Sequence, residues 1–495
     1  MQQLSPPFAL PSAPPFILSR LSVLFFLQFF IWGSWYVTGS RYMNAHEMAR
    51  DAYWLYTAGP LAAIIAPFFL GLCVDRFFNA EKVLATCFIL AGTIMWCLPW
   101  IGDMPGTAVM QTNAAGAQGV AWYTLTIAGI TLPKSSWFNY GIFAHMLCYM
   151  PTLALTAALA FRHLPRGNEQ FPLVRLWGTM GWIIAGLVLA FGFTTIGADG
   201  NPIEAGQGPA QFYIGAITSF AVGLFCLTLP ATPAPKKGQP FSVRELFFVD
   251  AWKEWRNPTF AAYMICAFLV CIPLSAYYAN IGNLTGAMGL SYATAWGNIG
   301  TWLEAGMLFL MPFLLRRLGI KRMIAIGIVA WSVRYLFFSW ATAEGSIPAA
   351  FLADKSVNPA YPGIVLGGFP IPFMHLGFLA YLFGVALHGI CYDFFFVAGQ
   401  VYVDKVTPST IRGQAQAMNM FFTQGLGLYV GAIVAGHLGG WAFVDAKGQS
   451  VAPDTTASLP YWSHFWLPLA AFAIVVLIVF WLVFHYRETE KKINA

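Results

Sequence analysis

Four ionisable side chains fall inside long apolar stretches of this sequence: Arg175, Glu304, Arg334 and Asp393. A charge near the centre of a bilayer costs at least about 2.5–3.5 kcal/mol, so each calls for an explanation. Glu304 shares a helical face with Thr301 and Gly300, and Asp393 shares one with Gly389 and Gln400. A carboxyl group takes up or releases a proton as water or a cation reaches it, which is what a proton-coupling site requires. The alternative for both is structural: an ion pair with Arg334, or a polar clamp between helices. Arg175, Thr179 and Trp182 recur at helical spacing, so a guanidinium fork, a hydroxyl and an aromatic face point the same way. That set suits a flat polar ligand, although Arg175 could instead be an anchor snorkelling to the headgroups. Arg334 has thin polar company in Ser332 and Tyr335 and is expected to be structural.

Further candidates are aromatic or polar stripes. Gln28, Trp32, Trp35 and Tyr36 recur along one stretch, and His145, Tyr149 and Thr152 share a face beside Pro151. Pro273 precedes Tyr277 and Asn280, and a proline there could break a helix at a cavity. Such stripes are more often packing or interface belts than binding sites. His145 and His388 could titrate near neutrality, but a hydrogen-bonded structural histidine is the commoner case.

The elements that must position these residues follow from composition. Of the 495 residues, 58% are apolar and only 9% charged, where soluble domains carry about 25% charged residues. A disordered chain, a disulfide scaffold and an ordinary soluble enzyme are thereby disfavoured. A span needs about 20 mainly apolar residues, and twelve stretches qualify: 18–39, 53–73, 83–101, 138–160, 171–193, 212–229, 261–284, 292–315, 323–340, 375–398, 415–439 and 465–486. Their length excludes the alternating short strands of a membrane barrel.

Of the 26 Lys and Arg residues, Arg41, Arg50, Lys134, Lys355 and Lys447 fall in segments on one side and Arg334 within a span; the other 20 lie on the opposite side. The positive-inside rule makes that side, and both termini, cytoplasmic. The expected organisation is a proline-rich cytoplasmic tail (1–17) with no cleavage site after it, a six-helix half (18–230), a polar and basic linker (231–258), a second six-helix half (259–486) and a short tail (487–495). Gly- and Pro-rich outer loops are expected at 102–137 and 343–374. All eight cysteines lie in spans or at their ends and read as buried thiols. With no phosphate loop, nucleophile elbow or zinc motif, and no soluble nucleotide domain, the chain is expected to be no enzyme and to need no cofactor or metal. The surplus of positive charge reports topology, so no nucleic-acid partner is implied; the lipid bilayer is the expected surrounding and a monomer the expected state.

The motifs, taken together and in order, resemble the nucleoside:H+ symporter family of the major facilitator superfamily. The matching stretches are Phe26-Leu27-Gln28-Phe29, Trp32-Gly33-Ser34-Trp35, Tyr149-Met150-Pro151-Thr152-Leu153, Phe171-Pro172, Arg175-Leu176-Trp177-Gly178-Thr179, Ala330-Trp331 with Arg334, and Tyr392-Asp393-Phe394-Phe395. The resemblance implies an all-α membrane protein of the major facilitator fold, two pseudo-symmetric six-helix bundles rocking about a central site, and nucleoside uptake coupled to protons. It assigns substrate contact to Arg175, Thr179 and Trp182. It places the family's span-eight glutamate at Glu304 and its span-ten aromatic-acid pair at Tyr392 and Asp393. Gln28, Trp32, Tyr277 and Asn280 complete the candidate substrate set, with Glu304 and Asp393 carrying the proton. Thr301 stands where the family has a glutamine, and Phe396 where an amide is expected. A proton-linked carrier of a sugar or an anionic metabolite is the alternative, and a non-transporting receptor a more distant one.

Overall fold

The computed structural model describes residues 16–69, 77–112, 118–165, 167–196, 202–234, 244, 247–290, 292–347, 364–366, 369–371, 376–408 and 411–486. The tail to residue 15, Cys73, Arg76, the Lys236–Lys237 part of the linker, most of 343–374 and the tail from 487 lie outside the described residues.

In lipid every backbone amide must find its partner within the segment, so apolar runs of this length fold as helices. Eight described helices are long and apolar enough to cross a membrane. One of them, Ala293–Ala341, has 49 residues, about 74 Å at 1.5 Å per residue, and is two spans in one. It breaks at Gly319, whose φ of 73° and ψ of 162° reverse the chain in a region open mainly to glycine. The shorter helices Ile17–Gly33, Leu55–Phe69 and Ala210–Cys226 complete a set of twelve among the described residues.

The twelve spans divide into two cores. One draws on residues 17–229 together with Ala279 and Ala432 of the second half, the other on residues 251–484. Span one packs on five, two on four, and three on four and six. Six positions later the pattern recurs: seven packs on eleven, eight on ten, and nine on twelve. Between halves, span two meets eleven and span five meets eight. This internal repeat makes a transporter of two rocking halves mechanically possible.

Four expectations need correction. Residues 102–137 are not a loop: β1 (Thr107–Thr112), β2 (Gln118–Ile127) and β3 (Ile130–Pro133) form an antiparallel sheet. Its β2–β3 hairpin turns on Ala128 and Gly129, both at positive φ, as a two-residue turn between strands requires. Span one does not run unbroken to residue 39; its helix ends at Gly33 and the chain turns before resuming as Gly39–Ala45. Pro273 does not interrupt span seven, which is helical over Pro258–Ala287, and Tyr335 Oη donates to the Pro273 carbonyl. Finally, Asp393 and Gln400 do not share a face. Asp393–Val397 is a π-helical turn, which inserts an extra residue and shifts the register, leaving Asp393 buried and Gln400 exposed.

Candidate functional site

The site is built where spans one and five of the first half face spans seven, eight and ten of the second. Close approach of spans one and five depends on Gly181, whose missing side chain leaves room for the Phe26 carbonyl. Spans eight and ten approach at Gly389, where a Cβ would lie 2.8 Å from the Glu304 Cα. Glycines at these two contacts set how near Arg175 and Glu304 can come to the axis between the halves.

From the first half, the Arg175 guanidinium lies 4.0 Å over the Phe29 ring. Thr179 and Trp182 follow on the same face, both half-buried. Trp182 and Trp32 meet edge to face at 5.7 Å, Trp32 packs 5.9 Å from Tyr149, and Tyr36 reaches Tyr278 of the other half at 5.7 Å. Trp182, Tyr277, Tyr278, Asn298, Thr301 and His388 are among the walls of a constricted cavity of about 30 Å³ between the halves.

From the second half, Glu304 Oε2 lies 3.5 Å from His388 Nε2, and His388 Nδ1 lies 3.1 Å from Arg334 Nη1. Arg334 stacks 3.4 Å over the Tyr277 ring. Tyr392 is half-buried with its ring 6.0 Å from that of His388. Asp393 is 1% exposed, and its Oδ2 is buried with no hydrogen-bond partner. Arg175 interacts electrostatically with Glu304 and Tyr392 across the interface.

The structure therefore brings Arg175, Thr179, Trp182, Trp32, Tyr277, Thr301, Glu304 and Tyr392 to the region between the halves. Gln28 is engaged elsewhere: its Nε2 donates to Thr152 Oγ1 at 2.8 Å, and Tyr149 Oη donates to its backbone carbonyl at 2.6 Å. Asn280 lies a turn beyond Tyr277, donating to the Ala276 carbonyl and paired with Asn283. His145 bonds the Ala91 carbonyl. Among the described residues no group of three His, Cys, Asp or Glu side chains is placed to hold a metal ion.

Two features escaped sequence reasoning. Asn298 donates to the Ile183 carbonyl across the halves; the stripe Thr294, Asn298, Thr301 at helical spacing is the signal that could have found it. The second is a latch at the sheet end of the bundle. Glu204, 2% exposed, accepts from Arg41 Nη1 at 3.0 Å and from the Ala293 and Thr294 amides at 2.7 and 3.1 Å. One carboxylate of the first half thus caps the first turn of span eight in the second, where a helix presents unpaired N–H groups. Ser40 donates to the Ala279 carbonyl, and Asn44 to Asn283 Oδ1, at the same end.

Comparison with known proteins agrees with this architecture. The sequence profile of the Nucleoside H+ symporter family matches residues 16–104, 117–353 and 371–489. The putative nucleoside transporter YegT of Escherichia coli K12 is 29% identical over 480 residues, covering 96% of this chain and 95% of that protein. The xanthosine permease of the same organism is 24% identical, covering 97% of this chain and 98% of that protein. A crystal structure of the nucleoside transporter NupG superposes with a TM-score of 0.70 at 25% identity, over 94% of this chain and all of that one. A D-xylose-proton symporter structure shares the fold at a TM-score of 0.61 and 13% identity, over 94% of this chain and 98% of that one. With the family profile spanning nearly every helix that shapes the site, this chain belongs to the nucleoside:H+ symporter family and has the twelve-helix major facilitator fold.

Proposed function

We propose that this secondary transporter imports a nucleoside together with a proton by alternating access, with the nucleoside held between the halves and the proton carried by Glu304 and Asp393. A nucleoside is neutral, with a flat base and a hydroxyl-rich ribose. Trp182, Trp32 and Tyr392 offer rings for the base, and base–aromatic stacking contributes about 1–3 kcal/mol per base. Arg175, Thr179, Thr301 and Glu304 offer donors and acceptors for the ribose and the base edge. Proton release from a carboxyl group toward the cytoplasm weakens binding there and lets the empty carrier reset.

The observation that carries this reading is Asp393: a carboxylate oxygen sealed in an apolar bundle without a partner, beside a site whose other carboxylate, Glu304, faces the opposite half. A permanently charged, unpaired group there would be costly, so a protonation cycle accounts for its presence better than a structural bond. The relatives carrying nucleosides or xanthosine in E. coli support the substrate class and a bacterial cytoplasmic membrane as the location. The basic residues Arg316, Arg317, Lys321 and Arg322 all lie at the end of the bundle opposite the sheet, which supports cytoplasmic termini. The protein works as a monomer, each chain containing both halves of one site.

The test is uptake of labelled uridine, inosine and xanthosine into proteoliposomes. An inward proton gradient should drive accumulation, and Asp393→Asn should abolish gradient-driven accumulation. Accumulation indifferent to a protonophore would sink the coupling, and competition by sugars or organic anions but not by nucleosides would sink the substrate class.

A further inference from the structure

Arg334 is fully buried among the second-half helices. Its Nε and Nη2 have no hydrogen-bond partner, and among the described residues no carboxylate lies within ion-pair distance. The Tyr277 ring at 3.4 Å and the Trp331 and Phe338 rings at 5.3 and 5.5 Å offer their faces, which compensates a buried cation only in part. Its Nη1 lies 3.1 Å from His388 Nδ1, and the Tyr277 hydroxyl and Cys391 thiol also interact with the guanidinium. A guanidinium has donors and no acceptor, so Nδ1 must be the unprotonated nitrogen. The single proton of the neutral imidazole then sits on Nε2, the atom facing Glu304 Oε2 at 3.5 Å.

We propose that His388, locked by Arg334 as its Nε2–H tautomer, is a positioning residue for proton coupling: it orients the Glu304 carboxylate and links it to a buried positive charge without a direct ion pair. The inference rests on the symport reading above and adds a division of labour to it. Glu304 exchanges the proton while His388 stays neutral, because a second proton on the ring would need Nδ1 to point an N–H at the guanidinium. The groups facing the ring agree. Arg334 of span nine opposes a positive imidazole. Tyr277 of span seven stacks on it at 5.2 Å, Tyr278 meets it edge-on, and Tyr392 lies one turn along its own helix. Glu304 of span eight is its one carboxylate neighbour and is shared with Arg175 of span five. A direct Arg334–Glu304 pair would hold the carboxylate in place; a neutral bridge lets it still engage a ribose hydroxyl or take a proton.

The experiment compares His388→Gln, whose amide can accept from Arg334 and donate to Glu304, with His388→Phe, which keeps the ring and loses both bonds. Gradient-driven nucleoside accumulation is divided by nucleoside counterflow in the same proteoliposomes, which normalises for folding and binding. The Phe variant should lower that ratio about tenfold or more and move the pH midpoint of uptake by about one unit, while the Gln variant stays within roughly threefold of wild type. Nitrogen-15 spectra of wild type minus His388→Gln should show the Nε2–H tautomer throughout pH 5–8. An unchanged ratio and pH profile in His388→Phe, equal losses in both variants, or a doubly protonated His388 ring in that range would each overturn the proposal. Absence of gradient-driven uptake in the wild type would instead overturn the symport reading on which it stands.

Discussion

At the scale of single residues, the value of Arg175 lies in its shape as much as its charge. A planar guanidinium can stack on Phe29 and still present an in-plane fork of donors, whereas an ammonium can do only one of these. Arg175→Lys is therefore expected to raise the nucleoside KM by about tenfold or more although the charge is kept, as measured by uptake against substrate concentration. Trp182→Ala should raise KM by roughly 5–100-fold through loss of base stacking, and more for purine than for pyrimidine nucleosides, the larger base covering more of the ring. Arg175 was legible as a candidate because a charge in a lipid-embedded stretch stands out by its cost, and Trp182 because it shares that helical face. The roles of His388 and Gln28 were not: whether a polar side chain in a helix faces a cavity or a neighbouring span depends on tertiary contact. Gln28 turns to Thr152, 124 positions away, and His388 acquires its significance only through Arg334 and Glu304.

At the scale of elements, positions without side chains decide how near the helices come. Gly389→Leu forces a Cβ to within 2.8–2.9 Å of the Glu304 backbone and should separate spans eight and ten. Overpacking of this kind costs about 1–3 kcal/mol, so a thermal-unfolding midpoint several degrees lower and loss of uptake are expected. Gly413→Ala is the control, since nothing lies within 4 Å of its added carbon, and its stability should be unchanged or slightly higher. The three-stranded sheet is anchored by Glu47, which accepts from Lys134 Nζ and the Gly106 amide, both at 3.1 Å. Partial burial pushes the Glu47 carboxyl up, but the Lys134 and Gly106 hydrogen bonds outweigh it and hold its pKa below the ordinary 4.5. A depressed folded-state pKa contributes stability that is present above the unfolded value and lost as the pH falls through the folded one. Melting curves should therefore show a loss below about pH 4.5 that Glu47→Gln removes. The sheet was hidden in the sequence by its glycines. The run Val120-Ala121-Trp122-Tyr123-Thr124 with the Ala128-Gly129 turn carried strand and hairpin signals, but they were outweighed by a composition that reads as loop.

At the scale of the whole molecule, the twelve spans and their six-and-six division were written in hydropathy and in the polar linker, because lipid leaves a helix no other way to satisfy its backbone; the pseudo-symmetric repeat was implied only by the family resemblance. What hydropathy cannot encode is which end of the bundle is shut. That is decided by contacts between residues far apart in the chain: Glu204 with Ala293, Asn44 with Asn283, Ser40 with Ala279. All lie at the sheet end, so the conformation is closed there. Alternating access requires every one of them to break once per cycle. Glu204 offers the largest share, since hydrogen bonds to a charged group contribute about 1.5–3 kcal/mol each. Removing one partner of a buried pair also leaves Arg41 uncompensated. Glu204→Ala should thus tilt the equilibrium away from the closed sheet end, seen as about tenfold or greater faster labelling of a cysteine placed at Ala279. The complementary experiment holds the latch shut. Cysteines replacing Asn44 and Asn283, whose side chains approach to 3.5 Å, in a background lacking reactive native thiols, should form a cross-link on oxidation. Because that bond forbids separation of the halves, it should stop uptake while leaving binding from the opposite end measurable, and a reductant should restore transport. Uptake that continues at full rate with the cross-link formed would show that the halves do not part here, and the rocking motion would have to be located elsewhere.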